Sequence, residues 1–259
     1  MSNRLQLALY QHSIIWESPK DNLAILEQNM ANLKEGVDIV ILPEMFSSGF
    51  TMNPQRVSAA NAEEVKQGII EISQKHDLAI CGSLAIKEGE SYFNRFFWVE
   101  SGKWKNTYDK RHLFRMAKEN DVYAPGKQDV RMSFKGWNIM PRVCYDLRFP
   151  VWSRSNTVDL QIYVANWPQV RVSAWDTLLK ARAIENQCYV VGVNRVGIDG
   201  NEIPYSGHSI VIDPKGQPIT EIDNEEEGWI YSETALEPLQ AYREKFPVAL
   251  DADHFTIPE

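Results

Sequence analysis

The chain has 259 residues, 44% of them hydrophobic and 24% charged, with a formal net charge of −8 at pH 7. Such a chain can bury a substantial core as one large α/β domain, and its acidic balance argues against nonspecific binding to nucleic acid or anionic membranes, which need a basic face. No apolar run approaches the length of a bilayer span, and the first residues carry no signal-peptide cleavage pattern.

In chain order, "RLQLALYQ" (4–11) reads as a first strand. Residues 18–33 read as a helix: Ser18 can cap it, Pro19 fits its first position, and Leu23, Leu26, Met30 and Leu33 share one face. "VDIVILPE" (37–44) is a short continuous apolar run, the pattern of a strand buried on both sides. A second amphipathic helix spans 61–76, with Val65, Ile69 and Ile72 inward, and a strand over 77–86 follows. Residues 92–110 read as two strands around a Ser101–Gly102 turn. Beyond them, 137–146 and 159–168 read as strands, 173–187 as a helix and 188–197 as a strand. A hairpin over 207–222 turns at "DPKG", and 232–247 reads as a helix that breaks near Pro247. No linker or strong repeat interrupts this alternation, so one α/β domain over 1–259 is expected.

The three cysteines, Cys81, Cys144 and Cys188, are too few and too scattered for a disulfide framework, and they suit a reducing cytoplasm. None has CxxC spacing, and the five histidines form no HExxH pattern, so no metal is expected.

Three polar residues each follow an apolar or strand-like run closely: Glu44, Lys110 and Cys144. In open α/β sheets chemistry gathers beyond strand ends, so the three could converge. Their joint chemistry is coherent. A thiolate attacks a carbonyl carbon, a carboxylate takes the thiol proton and returns it to a leaving amine, and a lysine ammonium holds the oxyanion. The backbone N–H of Tyr145, next after the thiol, is a second oxyanion donor. Each residue alone also has a plainer reading: Cys144 as a small core residue, Glu44 as a solvated turn acid, Lys110 as part of a basic loop.

Together, "LPEMFSSGF" (42–50), "YDKRHLF" (108–114) and "CYDLRFP" (144–150) resemble the nitrilase, or carbon–nitrogen hydrolase, superfamily, and most closely its omega-amidase branch. The resemblance runs in order over nearly the whole chain. It implies a four-layer α-β-β-α sandwich, with Glu44 as general base, Lys110 as oxyanion-stabilising cation and Cys144 as nucleophile. Glu119, in "MAKENDVYAPG" (116–126), matches the family's second glutamate and is expected to position Lys110 and the substrate amide. The turn after Cys144 matches a strained nucleophile elbow, which Asp146 and Arg148 are expected to pin by ion pairing and backbone hydrogen bonds. Asn166 and Trp167 resemble the omega-amidase pocket wall, and Phe50 is a further candidate for the lining.

The substrate implied is a small linear omega-amide of a 2-oxo acid, 2-oxoglutaramate or 2-oxosuccinamate, hydrolysed through a thioester without a cofactor. Its carboxylate needs a cationic or N–H-rich partner, for which Arg115 and Arg142 are candidates. Arg142 lies two residues before Cys144, and side chains at i and i+2 of a strand share a face. It could instead pair with an acid away from the pocket. Another amidase, a carbamoylase or a nitrilase would share the same trio, and a non-catalytic binding protein is the alternative from a different class. The resemblance also implies a homodimer or higher homo-oligomer, with residues 175–187 and the tail (about 233–259) at the contact.

Overall fold

Strands that are apolar at nearly every position need cover on both faces, and the computed structural model shows how this chain provides it. It describes residues 3–58, 60–220 and 225–257. The ends of the expected 1–259 domain and of the tail, and the last two residues of the 207–222 hairpin, therefore lie outside the described residues.

The first half contains β1 (Arg4–Gln11), α1 (Pro19–Met30), β2 (Ile39–Ile41), the short α2 (Pro54–Val57), α3 (Ala60–His76), β3 (Ala79–Glu88), β4 (Ser91–Glu100) and β5 (Lys103–Asp109). The second contains β6 (Met132–Phe134), β7 (Trp137–Val143), the short α4 (Pro150–Ser153), β8 (Leu160–Ala165), α5 (Val172–Asn186) and β9 (Tyr189–Asn194). A small hairpin, β10 (Val196–Ile198) with β11 (Pro204–Ser206), leads to β12 (Ile210–Ile212), β13 (Gly228–Ala235) and α6 (Leu236–Lys245). The strands form a six-stranded sheet ordered β13-β1-β2-β3-β4-β5 and a five-stranded sheet ordered β12-β9-β8-β7-β6.

Side-chain alternation sorts these strands into layers. Leu5, Leu7, Leu9, Ile39 and Ile41 of the first sheet pack with Ile139, Val143, Ile162 and Val191 of the second, in one core between the sheets. The alternate positions, Ala8, Tyr10, Val40 and Ile80, face Leu26, Val65 and Ile69 of α1 and α3. On the other side Tyr163, Ala165 and Val190 face Trp175, Leu179 and Ala183 of α5. The order of layers is helix, sheet, sheet, helix, the sandwich expected from the resemblance.

Several strands are shorter than the sequence reading, such as β2 and β8, and two further boundaries differ for a physical reason. The first helix ends at Met30 rather than at residue 33, because Ala31, Asn32 and Leu33 tighten into successive i to i−3 hydrogen bonds. Residues 232–235 are not helical. They end β13, which pairs antiparallel with β1 in full register from Arg4↔Ala235 to Gln11↔Gly228. The open edge of β1 captures a segment whose local sequence suits either state.

Strands β1, β2 and β3 run parallel, and β5 shares their direction because β4 is antiparallel to both β3 and β5. In the second sheet β7, β8 and β9 run parallel. The loops after β2, β5, β7 and β8 are those that carry the candidate residues.

Candidate active site

Glu44, Lys110 and Glu119 are buried, with exposures of 0–1%, and form one ionic cluster. The Lys110 Nζ donates to Glu44 Oε1 at 2.9 Å and to Glu119 Oε1 and Oε2 at 3.0 and 2.9 Å. Asn94 of β4 joins the two carboxylates, its Nδ2 donating to Glu44 Oε1 at 2.7 Å and to Glu119 Oε1 at 3.2 Å. Its Oδ1 accepts from Ser83 Oγ (2.8 Å), which in turn accepts from Met45 N (2.9 Å). The second oxygen of Glu44 accepts from the Asn166 N–H at 2.8 Å, and Glu119 Oε2 from the Phe114 N–H at 2.6 Å.

Burial opposes a charged lysine, but the two adjacent carboxylates outweigh it and hold Lys110 well above the ordinary lysine range. Burial raises the Glu119 carboxyl; Lys110 opposes this, Glu44 adds to it, and the net direction is upward. Gly126 completes the seat of Lys110. Its N–H donates to the Lys110 carbonyl at 2.9 Å, and a Cβ at this position would stand 2.0 Å from the Asp109 carbonyl oxygen. Only glycine permits so close a backbone approach.

Cys144 is half-buried beside this cluster, with its Sγ 3.9 Å from the Asn166 carbonyl. It starts a 3₁₀ turn, Cys144–Arg148, with φ at +46°, a left-handed conformation that costs a side-chain-bearing residue about 1–3 kcal/mol. The first amides of such a turn have no partner within it, which leaves the Tyr145 N–H pointing out of the helical turn. Burial pushes the Cys144 thiol well up, Glu44 adds to this, and Lys110 offsets only part.

Asp146 anchors the turn. Its Oδ2 accepts from the Val143 N–H (3.0 Å) and Tyr108 hydroxyl (2.8 Å), and its Oδ1 from the His112 N–H (3.1 Å) while pairing with His112 Nδ1 (2.7 Å). Burial raises this carboxyl, but the His112 contacts, Arg142 and the Val143 N–H outweigh it and the net direction is down.

Three sequence expectations are corrected here. Arg148 does not pair with Asp146; it is exposed, lies 5.2 Å over the Trp167 ring and lines the cavity. Arg142 does not reach the cavity. It is fully buried and donates to Asp129 Oδ1 (2.8 Å), the Trp152 carbonyl (2.6 Å) and the Pro141 carbonyl (2.9 Å). The cause is the positive φ of Cys144: the chain leaves the pleat after Val143, so the shared-face rule stops applying one residue too early. Arg115 is exposed and borders a neighbouring depression with Arg111 and His112, beyond Tyr145.

Phe50, Cys144, Tyr145, Asn166 and Trp167 do meet, around a cavity of about 280 Å³. Phe50 also lies 5.0 Å from the Lys110 Nζ. The sequence reading missed Asn94, Ser83, His112 and Arg171. A polar pair, Asn94 and Arg95, inside the otherwise aromatic strand "YFNRFFW" is the available signal for Asn94; nothing local marks the others. Among the described residues no group of three or more His, Cys, Asp or Glu side chains is arranged to hold a metal ion.

The carbon–nitrogen hydrolase family model matches residues 6–244. The chain is 44% identical over 254 residues to the omega-amidase YafV of Escherichia coli (strain K12), covering 98% of each. It is 29% identical to the 2-oxoglutaramate amidase of Bacillus subtilis (strain 168), over 93% of this chain and 95% of that one. Its structure superposes on XC1258 of Xanthomonas campestris, a CN-hydrolase superfamily protein with an arsenic adduct in its active site. The TM-score is 0.92 at 39% identity, over 98% of this chain and 99% of that one.

Removing the Asp146 carboxylate strands the donors around it. Asp146→Ala is expected to lower stability by about 1–3 kcal/mol in urea unfolding. Arg148→Gln, at an exposed site, should leave the urea midpoint within experimental error. Equal losses in the two variants would contradict this division.

Proposed function

This chain belongs to the carbon–nitrogen hydrolase family, and from that premise we propose that it is an omega-amidase releasing ammonia from a 2-oxo acid omega-amide. At the coarser level it is a cysteine-dependent enzyme that hydrolyses the carbon–nitrogen bond of linear amides. The half-buried Cys144 at a small cavity, backed by the Glu44–Lys110–Glu119 cluster, carries the coarser reading. Similarity to relatives named omega-amidase and 2-oxoglutaramate amidase supports 2-oxoglutaramate or 2-oxosuccinamate as substrate.

In the proposed reaction Glu44 takes the Cys144 proton as sulfur attacks the amide carbon. Lys110 and the Tyr145 N–H hold the oxyanion. Glu44 returns the proton to the departing nitrogen, ammonia leaves, and a thioester remains on Cys144. Water, deprotonated by Glu44, then releases the 2-oxo dicarboxylate and restores the thiol. Glu119 and Asn94 act as positioning residues: they hold Lys110 and Glu44 in a fixed geometry that need not reorganise as charge develops. A thiol held high by burial and by Glu44 is protonated at rest, so the thiolate forms only during attack.

We read residues 1–259 as one such domain, in a reducing cytoplasm that suits three free cysteines. No helix among the described residues is long and apolar enough to cross a membrane. We also propose a homodimer through α5 and the tail, where Ile184, Phe246 and Leu250 are 55%, 57% and 84% exposed.

Three measurements check this reading. Purified protein should release ammonia from 2-oxoglutaramate, and Cys144→Ala and Glu44→Gln should each abolish release, with no acyl-enzyme accumulating in mass spectra of either variant. Hydrolysis of other amides or of a nitrile, with 2-oxoglutaramate untouched, would reject the substrate. The ultraviolet thiolate band, taken as wild type minus Cys144→Ala, should be absent below pH 9.0; a band at neutral pH would mean a preformed thiolate. Sedimentation should give a dimer that Leu250→Asp weakens, and a wild-type monomer at micromolar concentration would reject the contact.

A further inference from the structure

Beyond Tyr145, which borders both, the catalytic cavity has a neighbour: a depression of about 530 Å³. Arg111, Arg115, His112 and Asn120 line it, and no carboxylate does. The lining of the catalytic cavity, by contrast, mixes Arg148 and Arg171 with Asp199. Neither Arg111 nor Arg115 has a carboxylate partner among the described residues. Arg111 is held in place, 4.3 Å over the Trp152 ring, with its Nη1 donating to the Lys127 carbonyl at 3.3 Å. Arg115 is exposed. Asp121, which accepts from Asn120 at 2.7 Å, is exposed and outside the lining. On a chain of net charge −8, two unneutralised guanidinium groups beside one depression make a local positive field.

His112 connects this depression to the reacting turn. Its ring stacks on Phe149, with centroids 3.7 Å apart and planes 6° from parallel, and its Nδ1 pairs with Asp146 Oδ1 at 2.7 Å. Asp146 is a carboxylate, so Nδ1 carries the proton. In the neutral ring Nε2 then keeps a lone pair, and it has no partner among the described residues. Asp146 also accepts from the Val143 N–H, one residue before Cys144.

We propose that this depression binds a small organic polyanion, and that its occupancy reaches the nucleophile turn through His112 and Asp146. Guanidinium forks match carboxylate and phosphate oxygens alike. Phe149 and Tyr145 offer apolar wall to a carbon frame, and a ligand hydroxyl would find its acceptor in His112 Nε2. The volume of about 530 Å³ falls in the roughly 300–1,000 Å³ range of small-molecule sites and exceeds what a lone inorganic ion fills. Cys144, Glu44 and Lys110 are not in the lining. The ligand is therefore not the amide being hydrolysed, and the site does not depend on which amide that is.

The test titrates the wild type calorimetrically with citrate and with glycerol 3-phosphate, a polycarboxylate and a phosphate ester. At least one should bind, about one per chain, with Kd below about 1 mM, and the tighter of the two identifies the ligand class. Arg111→Gln and Arg115→Gln should each weaken binding about ten- to hundredfold, the range for losing a charge-assisted hydrogen bond. Arg111→Lys, which keeps the charge and loses the fork, should lie between. In histidine-selective NMR spectra, saturating ligand should move the His112 ring signals and leave those of the other four histidines in place. Cys81 and Cys188 are buried, so iodoacetamide reports on Cys144; its alkylation rate should change about fivefold on saturation, and not in Arg115→Gln. Failure of both probes to bind at about 10 mM would reject the site. Binding that survives the Arg111 and Arg115 substitutions but is lost in Arg148→Gln would put the anion in the catalytic cavity and reject it equally. Binding that moves neither the His112 signals nor the alkylation rate would overturn the link to the turn.

Discussion

A lysine taken wholly out of water between two carboxylates is the interaction on which the rest of this site depends. Lys110 alone at 1% exposure would carry a desolvation cost of several kcal/mol; Glu44 and Glu119, equally buried, would each carry their own. Only the complete set, with Asn94, the Asn166 N–H and the Phe114 N–H filling the remaining valences, is tolerable. Such a cluster is poor evidence of stability and good evidence of a selected geometry, because an apolar trio would pack there more simply. Removing Lys110 leaves two buried carboxylates without their counter-ion.

The two sheets explain how residues so distant in sequence reach this cluster. Glu44 accepts from an amide 122 residues away, and this bond joins the ends of β2 and β8 across the sandwich. The inter-sheet core of Leu7, Ile41, Ile139 and Ile162 sets the spacing of those ends. Asp146 then fixes the elbow through the Val143 N–H, and Cys144 opens the turn in a left-handed conformation with its Sγ 3.9 Å from the Asn166 carbonyl. A residue strained in this way persists because four surrounding hydrogen-bonding contacts over-determine the turn.

Charge is divided between the buried cluster and the cavity. In the cluster the Lys110 ammonium is saturated by Glu44 and Glu119. At the cavity the guanidinium groups of Arg148 and Arg171 are stacked but have no carboxylate partner among the described residues. The protein as a whole is acidic, and that property says nothing about what this one surface attracts.

The sequence by itself determined most of the strands and helices and the reactive residues' places along the chain, while the four layers were implied only by the family resemblance. Strands buried on both faces must be apolar throughout, helices facing a sheet must repeat near 3.6, and both patterns are local. The motifs around Glu44, Lys110 and Cys144 were legible for the same reason, as short runs at strand ends. Only the tertiary structure decided which way the arginines point and what each acid holds. One positive φ at Cys144 turned Arg142 away from the cavity and sent it to Asp129. Asp146 took His112, 34 residues off, in place of nearby Arg148. The open edge of β1 drew residues 232–235 out of the helix that follows them. These choices are made between groups far apart in the chain, by burial and geometry that no local spacing encodes.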